Sequence, residues 1–242
     1  MKMLARKAFV FWGVLGISTA VQAEWVENFL IGASGGYAYN KGILDIGINH
    51  PAPGLQYTAT SMEQTGKGFI GGGLIGYQTR CNGWLMGLEF AVNWQDNGSD
   101  HYFTFPDALG NSWGASSHYT TGTVFDLTAR MGFEQITAYF FPYIRAGIEV
   151  SRDKLSFNGT SSSGITASDT GTGRVGRFIG GVGLEIPVPL MLGLAFRIEY
   201  NYHGKGRGLE ALALGSDNAT LVIADEKPRT NSGIVSIIWN FY

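Results

Sequence analysis

Eight stretches of the chain alternate apolar residues with small or polar ones, at residues 29–39, 68–80, 84–94, 123–134, 139–151, 174–186, 192–202 and 231–242. The third is the clearest. Trp84, Met86, Leu88, Phe90, Val92 and Trp94 fall on one face, and Leu85, Gly87, Glu89, Ala91 and Asn93 on the other. A period of two marks β-strands, and about 9–11 residues is the length a tilted strand needs to cross a bilayer. The seventh stretch repeats the pattern, with Leu192, Leu194, Phe196, Ile198, Tyr200 and Tyr202 opposite Gly193, Ala195, Arg197, Glu199 and Asn201. In a soluble sandwich the exposed face would be polar. Here the apolar face is continuous and ends in aromatics while the other carries charge, which fits lipid outside and a polar lumen inside.

The connections alternate in length. Residues 81–83, 135–138 and 187–191 are short, whereas 40–67, 95–122, 152–173 and 203–230 run to roughly two dozen residues each. Short turns on one side and long loops on the other are the rhythm of a bacterial outer-membrane barrel. The pattern therefore predicts an all-β fold, an eight-stranded antiparallel up-and-down transmembrane β-barrel with both termini in the periplasm. Ten strands is the rival count, because residues 43–48 and 220–224 are β-prone and could extend the wall beyond the membrane.

Asn82-Gly83 is a tight-hairpin signal, and Pro187 and Pro189 mark a turn where no ladder N–H is needed. Aromatics at the strand ends suggest two interfacial girdles. Tyr39, Trp94 and Tyr202 lie on the loop side, with Phe29, Trp84, Phe133, Tyr139 and Trp239 on the turn side. In the last stretch the expected register puts Val235, Ile237, Trp239 and Phe241 toward lipid and Ser236 and Asn240 inside; a slip of one residue would reverse every side chain.

The N-terminus reads as a secretory signal over residues 1–23, followed by the barrel domain over 24–242. Lys2, Arg6 and Lys7 precede a short apolar run, and Val21-Gln22-Ala23 gives a small-residue cleavage site. The 17 Lys and Arg less the three in this leader leave 14 against 19 Asp and Glu, a net charge of about −5 for the mature chain. That balance, with no basic patch visible, argues against nucleic acid as a partner. Cys81 is the single cysteine and cannot form an internal disulfide.

With this pattern in hand, the chain resembles the small outer-membrane β-barrels of the OmpA/opacity-protein type. The residues that carry the likeness are Gly71-Gly72-Gly73-Leu74-Ile75-Gly76-Tyr77, Gly87-Leu88-Glu89, Pro142-Tyr143-Ile144-Arg145-Ala146-Gly147, Gly180-Gly181-Val182-Gly183-Leu184-Glu185 and Arg197-Ile198-Glu199-Tyr200. The likeness spans residues 24–242 and is one of architecture. Members of this type include adhesins, immune-evasion proteins, structural anchors and narrow pores. It implies outer-membrane lipid, lipopolysaccharide and the barrel-assembly machinery as partners, with a host or surface ligand besides. Terminal strands of this type end on Phe, whereas here Tyr242 follows Phe241.

Alternation turns nine charged residues inward: Glu89, Asp126, Arg130, Arg145, Glu149, Arg177, Glu185, Arg197 and Glu199. Eight strands enclose a bore just wide enough for side chains to fill. Paired charges there would make a polar plug, and a gated ion path is the sharper alternative. Gly73, Gly87, Gly147 and Gly183 are expected to make room for the long side chains.

Other chemistry is weaker. Gly71-x-Gly73-x-x-Gly76 and Gly171-x-Gly173-x-x-Gly176 match a dinucleotide fingerprint as text, but neither opens a helix, so no cofactor is expected. His50, His101, His118 and His203 fall in loops or rims without metal-ligand spacing, and their default reading is solvated. Asp100-His101 and Ser116-Ser117-His118 offer atoms for a Ser–His–Asp arrangement, as in lipid A acyl-modifying barrels, but without their signature.

The loops carry apolar runs such as Tyr102-Phe103-Thr104-Phe105-Pro106 and Leu209–Leu214, which either pack on one another or form a contact surface; residues 208–215 suggest a short helical turn. The favoured function is a non-enzymatic surface protein, structural or adhesin-like. A narrow passive channel comes second and a lipid A acyl-modifying enzyme third.

Overall fold

The computed structural model describes residues 26–50, 56–133 and 140–241. The expected signal segment, the turn at 135–138 and Tyr139 lie outside these residues. Eleven strands follow in order: β1 Val26–His50, β2 Gln56–Cys81, β3 Trp84–Asp96, β4 Ser99–Pro106, β5 Ser112–Phe133, β6 Phe141–Ser161, β7 Thr166–Pro187, β8 Leu194–His203, β9 Leu209–Leu214, β10 Leu221–Glu226 and β11 Arg229–Phe241.

Eight of them form a closed antiparallel ring. β1, β2, β3, β5, β6, β7, β8 and β11 are neighbours in turn, and β11 closes onto β1 from Phe29↔Phe241 to Lys41↔Arg229. Closure leaves no unpaired edge, which is what lets a sheet span lipid. The outward positions of this ring are apolar and exposed: Phe29, Ile31, Leu88, Phe90, Leu127, Ile144, Ile148, Ile198, Val235 and Ile237. Tyr39, Trp94 and Tyr202 bound this belt on one side and Trp84 and Trp239 on the other, all exposed, with Phe133 against Trp84 at 5.0 Å between ring centroids. A closed wall with such a belt is a bacterial outer-membrane barrel. The count is eight, and the last strand has the expected register, with Val235, Ile237, Trp239 and Phe241 outside and Ser236 and Asn240 buried.

Asn82 (φ 51°) and Gly83 (φ 81°) form the two-residue turn between Cys81 and Trp84; both central residues sit in the left-handed region, as a tight hairpin matched to strand twist requires.

Among the described residues the long connections are largely strand. β1 and β2 pair without interruption from Val26↔Arg80 to His50↔Gln56, and β5, β6 and β7 extend as far. At 25 residues and about 3.3 Å each, β1 is more than twice the length a membrane strand needs. Above the belt, β4 takes the place of β3 beside β5, and the β9–β10 hairpin takes the place of β8 and β11 beside β1. Residues 43–48 and 221–224 are thus strand, as a continuation of β1 and as part of β10. Residues 209–214 are β9, not the helical turn the sequence suggested: Leu209, Ala211 and Ala213 point inward and alternate with exposed residues, which is period two.

In this upper tier the pattern inverts. On β6 the outward side chains change from Ile144, Ile148 and Val150 to Arg152, Lys154 and Ser156, while the inward ones change from Arg145, Glu149 and Asp153 to Leu155 and Phe157. Leu44, Ile46, Ile48, Phe105, Trp113, Tyr119, Leu155, Phe157, Leu209, Val222 and Ala224 form one apolar core inside the tier. Water surrounds this part of the wall, so the hydrophobic effect turns apolar groups in, as in a soluble domain. On β5 the switch coincides with a bulge between Thr121 and Val124. Inward residues are odd-numbered above it (Trp113, Ala115, Tyr119) and even-numbered below it (Asp126, Thr128, Arg130).

The upper ring has two seams. Between β2 and β4, His101 bridges by its side chain to the Thr65 backbone, Nε2 lying 3.3 Å from N and 3.0 Å from O. Between β7 and β9, Ala167 bridges Gly215, and the Leu212 N–H donates to Asp169 at 2.9 Å.

Candidate functional site

The bore of the membrane ring is the densest concentration of chemistry in the chain. All nine inward charges expected from alternation point into it and are buried: Glu89, Asp126, Arg130, Arg145, Glu149, Arg177, Glu185, Arg197 and Glu199. They form three groups stacked along the axis.

The lowest group joins four of the strands. Arg130 lies 3.0 Å from Glu89 and 2.8 Å from Glu185. Arg197 lies 2.6 Å from Glu89 and 2.9 Å from Glu185, so two guanidiniums and two carboxylates close a cycle. The planar fork of Arg suits this, since one side chain can serve two carboxylates. Arg80 approaches Glu185 from below at 3.8 Å. Gln78 receives an N–H from Arg130 and donates to Asn240 at 2.8 Å, tying the group to the terminal strand.

The middle group is a pair. Arg145 donates to Glu199 at 2.6 Å and to Thr128 at 3.0 Å, and the Tyr143 hydroxyl donates to the same Glu199 at 2.5 Å. The Tyr143 ring also links this group to the one below, its centroid 5.3 Å from the Arg130 guanidinium carbon and 5.9 Å from that of Arg197. Asp126 accepts from Asn93 at 2.9 Å and reaches none of the arginines.

At the junction with the upper tier, Arg177 donates to Glu149 at 3.0 Å, to Ser151 at 2.8 Å and to the Tyr119 hydroxyl at 2.9 Å. Asp153 accepts from both Arg177 and Tyr119. His203 bonds to Glu149 through Nδ1 and lies 3.0 Å from Ser232 through Nε2. Asp153, Tyr119, Tyr143, Gln78 and His203 were not among the expected network. Asp153 and Tyr119 fell in stretches assigned to loops, and His203 follows the tyrosine that ends the apolar row. Its position one step past Tyr202, on the inward parity, was the available signal.

Of the four glycines expected to give the charges room, Gly87 does so: a Cβ there would lie 3.1 Å from Arg130 Nε. Gly183 instead admits the Tyr143 ring, which a Cβ would meet at 2.3 Å. Gly147 faces inward, but what it relieves is the approach of β5, since its Cβ would sit 2.0 Å from the Leu127 carbonyl oxygen. Gly73 faces out, and it is Gly72 that approaches Asn93 inside.

A space of about 10 Å³ in the bore is lined by Ser34, Asn93, Asp126, Arg145, Glu199, Asn201 and His203. This is room for about one water molecule. Above it the apolar core of the upper tier fills the interior.

The remaining histidines lie in that tier. His50 is buried, as His203 is, against the reading of solvated loop residues, and sits 3.1 Å from Asp107. Asp107 also accepts from the Trp113 indole at 3.1 Å and from the N–H groups of Leu109 and Asn111. Burial raises the Asp107 pKa, but these donors outweigh it and hold the carboxyl below its ordinary value. His118 is half-buried and bonds to Asp100 at 2.7 Å. Of the two serines expected beside it, Ser117 is buried on the inward face and accepts from Gln64; across the ladder lies Ser156, whose hydroxyl bonds to Thr170 at 3.0 Å. Among the described residues no group of His, Cys, Asp and Glu has the form of a metal site.

No family model and no curated protein matches the sequence. Solved structures do align with it. The attachment invasion locus protein Ail of Yersinia pestis is 14% identical over 85% of this chain and 99% of its own, with a TM-score of 0.33. The outer membrane protein OprG from Pseudomonas aeruginosa is 15% identical over 91% of this chain and 99% of its own, with a TM-score of 0.44. The outer membrane protease OmpT from Escherichia coli is 7% identical over 88% of this chain and 97% of its own, with a TM-score of 0.48.

Proposed function

We propose that this chain is a non-enzymatic outer-membrane surface protein, structural or adhesin-like, in which a plugged barrel holds a rigid β-tier beyond the membrane and the far surface of that tier meets a host or surface ligand. One observation carries the reading: the interior is filled at two successive levels, by ion pairs within the membrane and by an apolar core above it. A channel needs a polar path through both levels, and an apolar core lined by Trp113, Phe157 and Leu44 opposes one. The non-enzymatic part is supported by the His118–Asp100 pair, beside which Ser117 is buried and bonded to Gln64 and the cross-strand Ser156 bonds to Thr170.

The tier also offers a contact surface. Tyr102 is 84% exposed, and with Phe103 it flanks a shallow depression floored by Gly114, Ala115, Ser116 and Gly159. Aromatics beside small polar residues on a rigid scaffold are the composition of a binding face.

The test has three readouts. Planar bilayers containing the purified protein should carry no steady current; a large stable conductance would favour the channel. Cells of a non-adherent strain expressing the protein should gain attachment or autoaggregation, lost on Tyr102→Ala or on truncation of the tier. Their lipid A should keep its acylation pattern; an altered pattern abolished by His118→Ala would promote the enzyme instead.

A further inference from the structure

Above the lipid-facing belt, one sector of the wall carries positive charge without acidic partners. Arg152 on β6 and Arg174 on β7 are directly paired in the ladder, both exposed on the outer face. Lys154 is the next outward residue on β6. The segment after β8 runs alongside β7, fixed by the Gly204 N–H donating to the Phe178 carbonyl at 2.8 Å, and adds exposed Lys205 and Arg207. Among the described residues, no carboxylate lies within salt-bridge distance of any of these five. The flank around β1 and β10 differs: Lys41 holds Glu63 at 2.7 Å and Lys227 holds Asp225.

Like charges directly opposite on a sheet repel and destabilise the pair. Two arginines in that register, reinforced by three more cations, are therefore poorly explained by the protein's own contacts. Their height is informative. Directly below them the outward positions are Val150 and Gly176, then Ile148 and Phe178, with Val150, Ile148 and Phe178 exposed in the apolar belt. At Gly176 nothing lies within 4 Å of where a Cβ would be, so the wall is recessed below the arginine pair. Cations at the water interface over a recessed apolar strip match an amphiphile with an anionic head and hydrocarbon tails.

We propose that Arg152, Arg174, Lys154, Lys205 and Arg207 form a binding site for the phosphorylated headgroup of an outer-leaflet glycolipid, whose acyl chains lie along Val150, Ile148 and Phe178 over Gly176. Guanidinium forks bind phosphate by two parallel charge-assisted hydrogen bonds, and one phosphate between two arginines removes their repulsion. The site sits on the membrane-facing rim and is independent of what the far surface of the tier binds.

The test uses the full mature chain in neutral detergent, with bisphosphorylated lipid A as the probe and native mass spectrometry as the readout. Lipid A should bind, its dephosphorylated form at least about tenfold more weakly, and millimolar inorganic phosphate should not displace it. Arg152→Gln with Arg174→Gln should weaken binding by about 30-fold, at roughly fivefold for each charge removed near an anionic headgroup. Lys41→Gln with Lys227→Gln should leave it unchanged. Equal binding of the dephosphorylated lipid, or an unchanged affinity in the arginine double variant, would overturn the proposal. Full displacement by inorganic phosphate would make this a site for free anions and overturn the lipid assignment. The comparison of the two lipids on the unmodified protein decides the matter even if the double variant does not fold.

Discussion

Arg145 and Arg197 are both buried arginines in the bore, yet their removal should not cost the same. Among the described residues Arg145 is the one guanidinium bonded to Glu199, so Arg145→Ala leaves that carboxylate with the Tyr143 hydroxyl as its remaining described partner. Stranding a buried charge in this way costs about 3–5 kcal/mol. Arg197→Ala removes one side of a cycle in which Arg130 still touches both Glu89 and Glu185, so each carboxylate keeps a cation and the loss should be smaller. Urea unfolding of the two variants in lipid vesicles measures the difference, and equal losses would refute the cycle. Adding Glu199→Gln to Arg145→Ala should recover part of the stability, because the stranded charge is then gone. The nine inward charges were legible from period two alone, since in a membrane strand parity decides lumen or lipid. Their partners were not. Which arginine meets which carboxylate depends on stagger between strands far apart in sequence, and Asp126, placed in the network by parity, accepts from Asn93 and bonds no arginine among the described residues.

At the scale of strands, the legible part ends where the membrane does. Within the belt each strand shows apolar-out alternation and is located closely by it. Above it the surroundings on both faces change, the inward side becomes apolar, and on β5 the bulge at Thr121–Val124 moves the parity by one. A reader following one periodicity therefore sees it dissolve and infers a loop. The apolar runs at 102–106 and 209–214 were the surviving clue. Where the two regimes meet, Glu226 at the end of β10 is buried, facing inward, opposite Leu44 and Leu209. Burial, then the negative charges of Asp153 and Asp225, push its pKa from 4.5 up to about 8. A folded-state pKa above the unfolded one means the native protein holds the extra proton. This contribution is complete below about pH 4.5, is lost progressively as pH rises through 8, and stays constant above that. Thermal unfolding should show the wild type losing stability between pH 5 and 9, with Glu226→Gln flatter over that window and more stable at its alkaline end. Parallel pH profiles for the two proteins would show that Glu226 does not hold a proton at neutral pH.

At the scale of the whole molecule, the wall is one continuous sheet performing two kinds of folding, and the two should be separable. The membrane ring is complete without β9 and β10, since β11 closes it onto β1. The upper core is not: Leu209, Ala211, Ala213, Val222 and Ala224 all come from that hairpin. Replacing residues 205–228 by a short turn should therefore leave a closed barrel, because joining the ends of β8 and β11 closely makes closure entropically easier. Boiled and unboiled samples of the truncated protein should still migrate differently on a gel. The upper halves of β1 and β2 would lose the cover over Leu44, Ile46 and Ile48, and protease should cut them in the truncated protein while the intact one resists. The bore should stay electrically silent, since the ion pairs of Glu89, Arg130, Glu185 and Arg197 lie wholly within the ring. A truncated barrel that conducts would show that the apolar core, not the ionic plug, is the seal. One that no longer resists heat would show that the tier is required for the ring to close, and the division into two independently organised halves would fall.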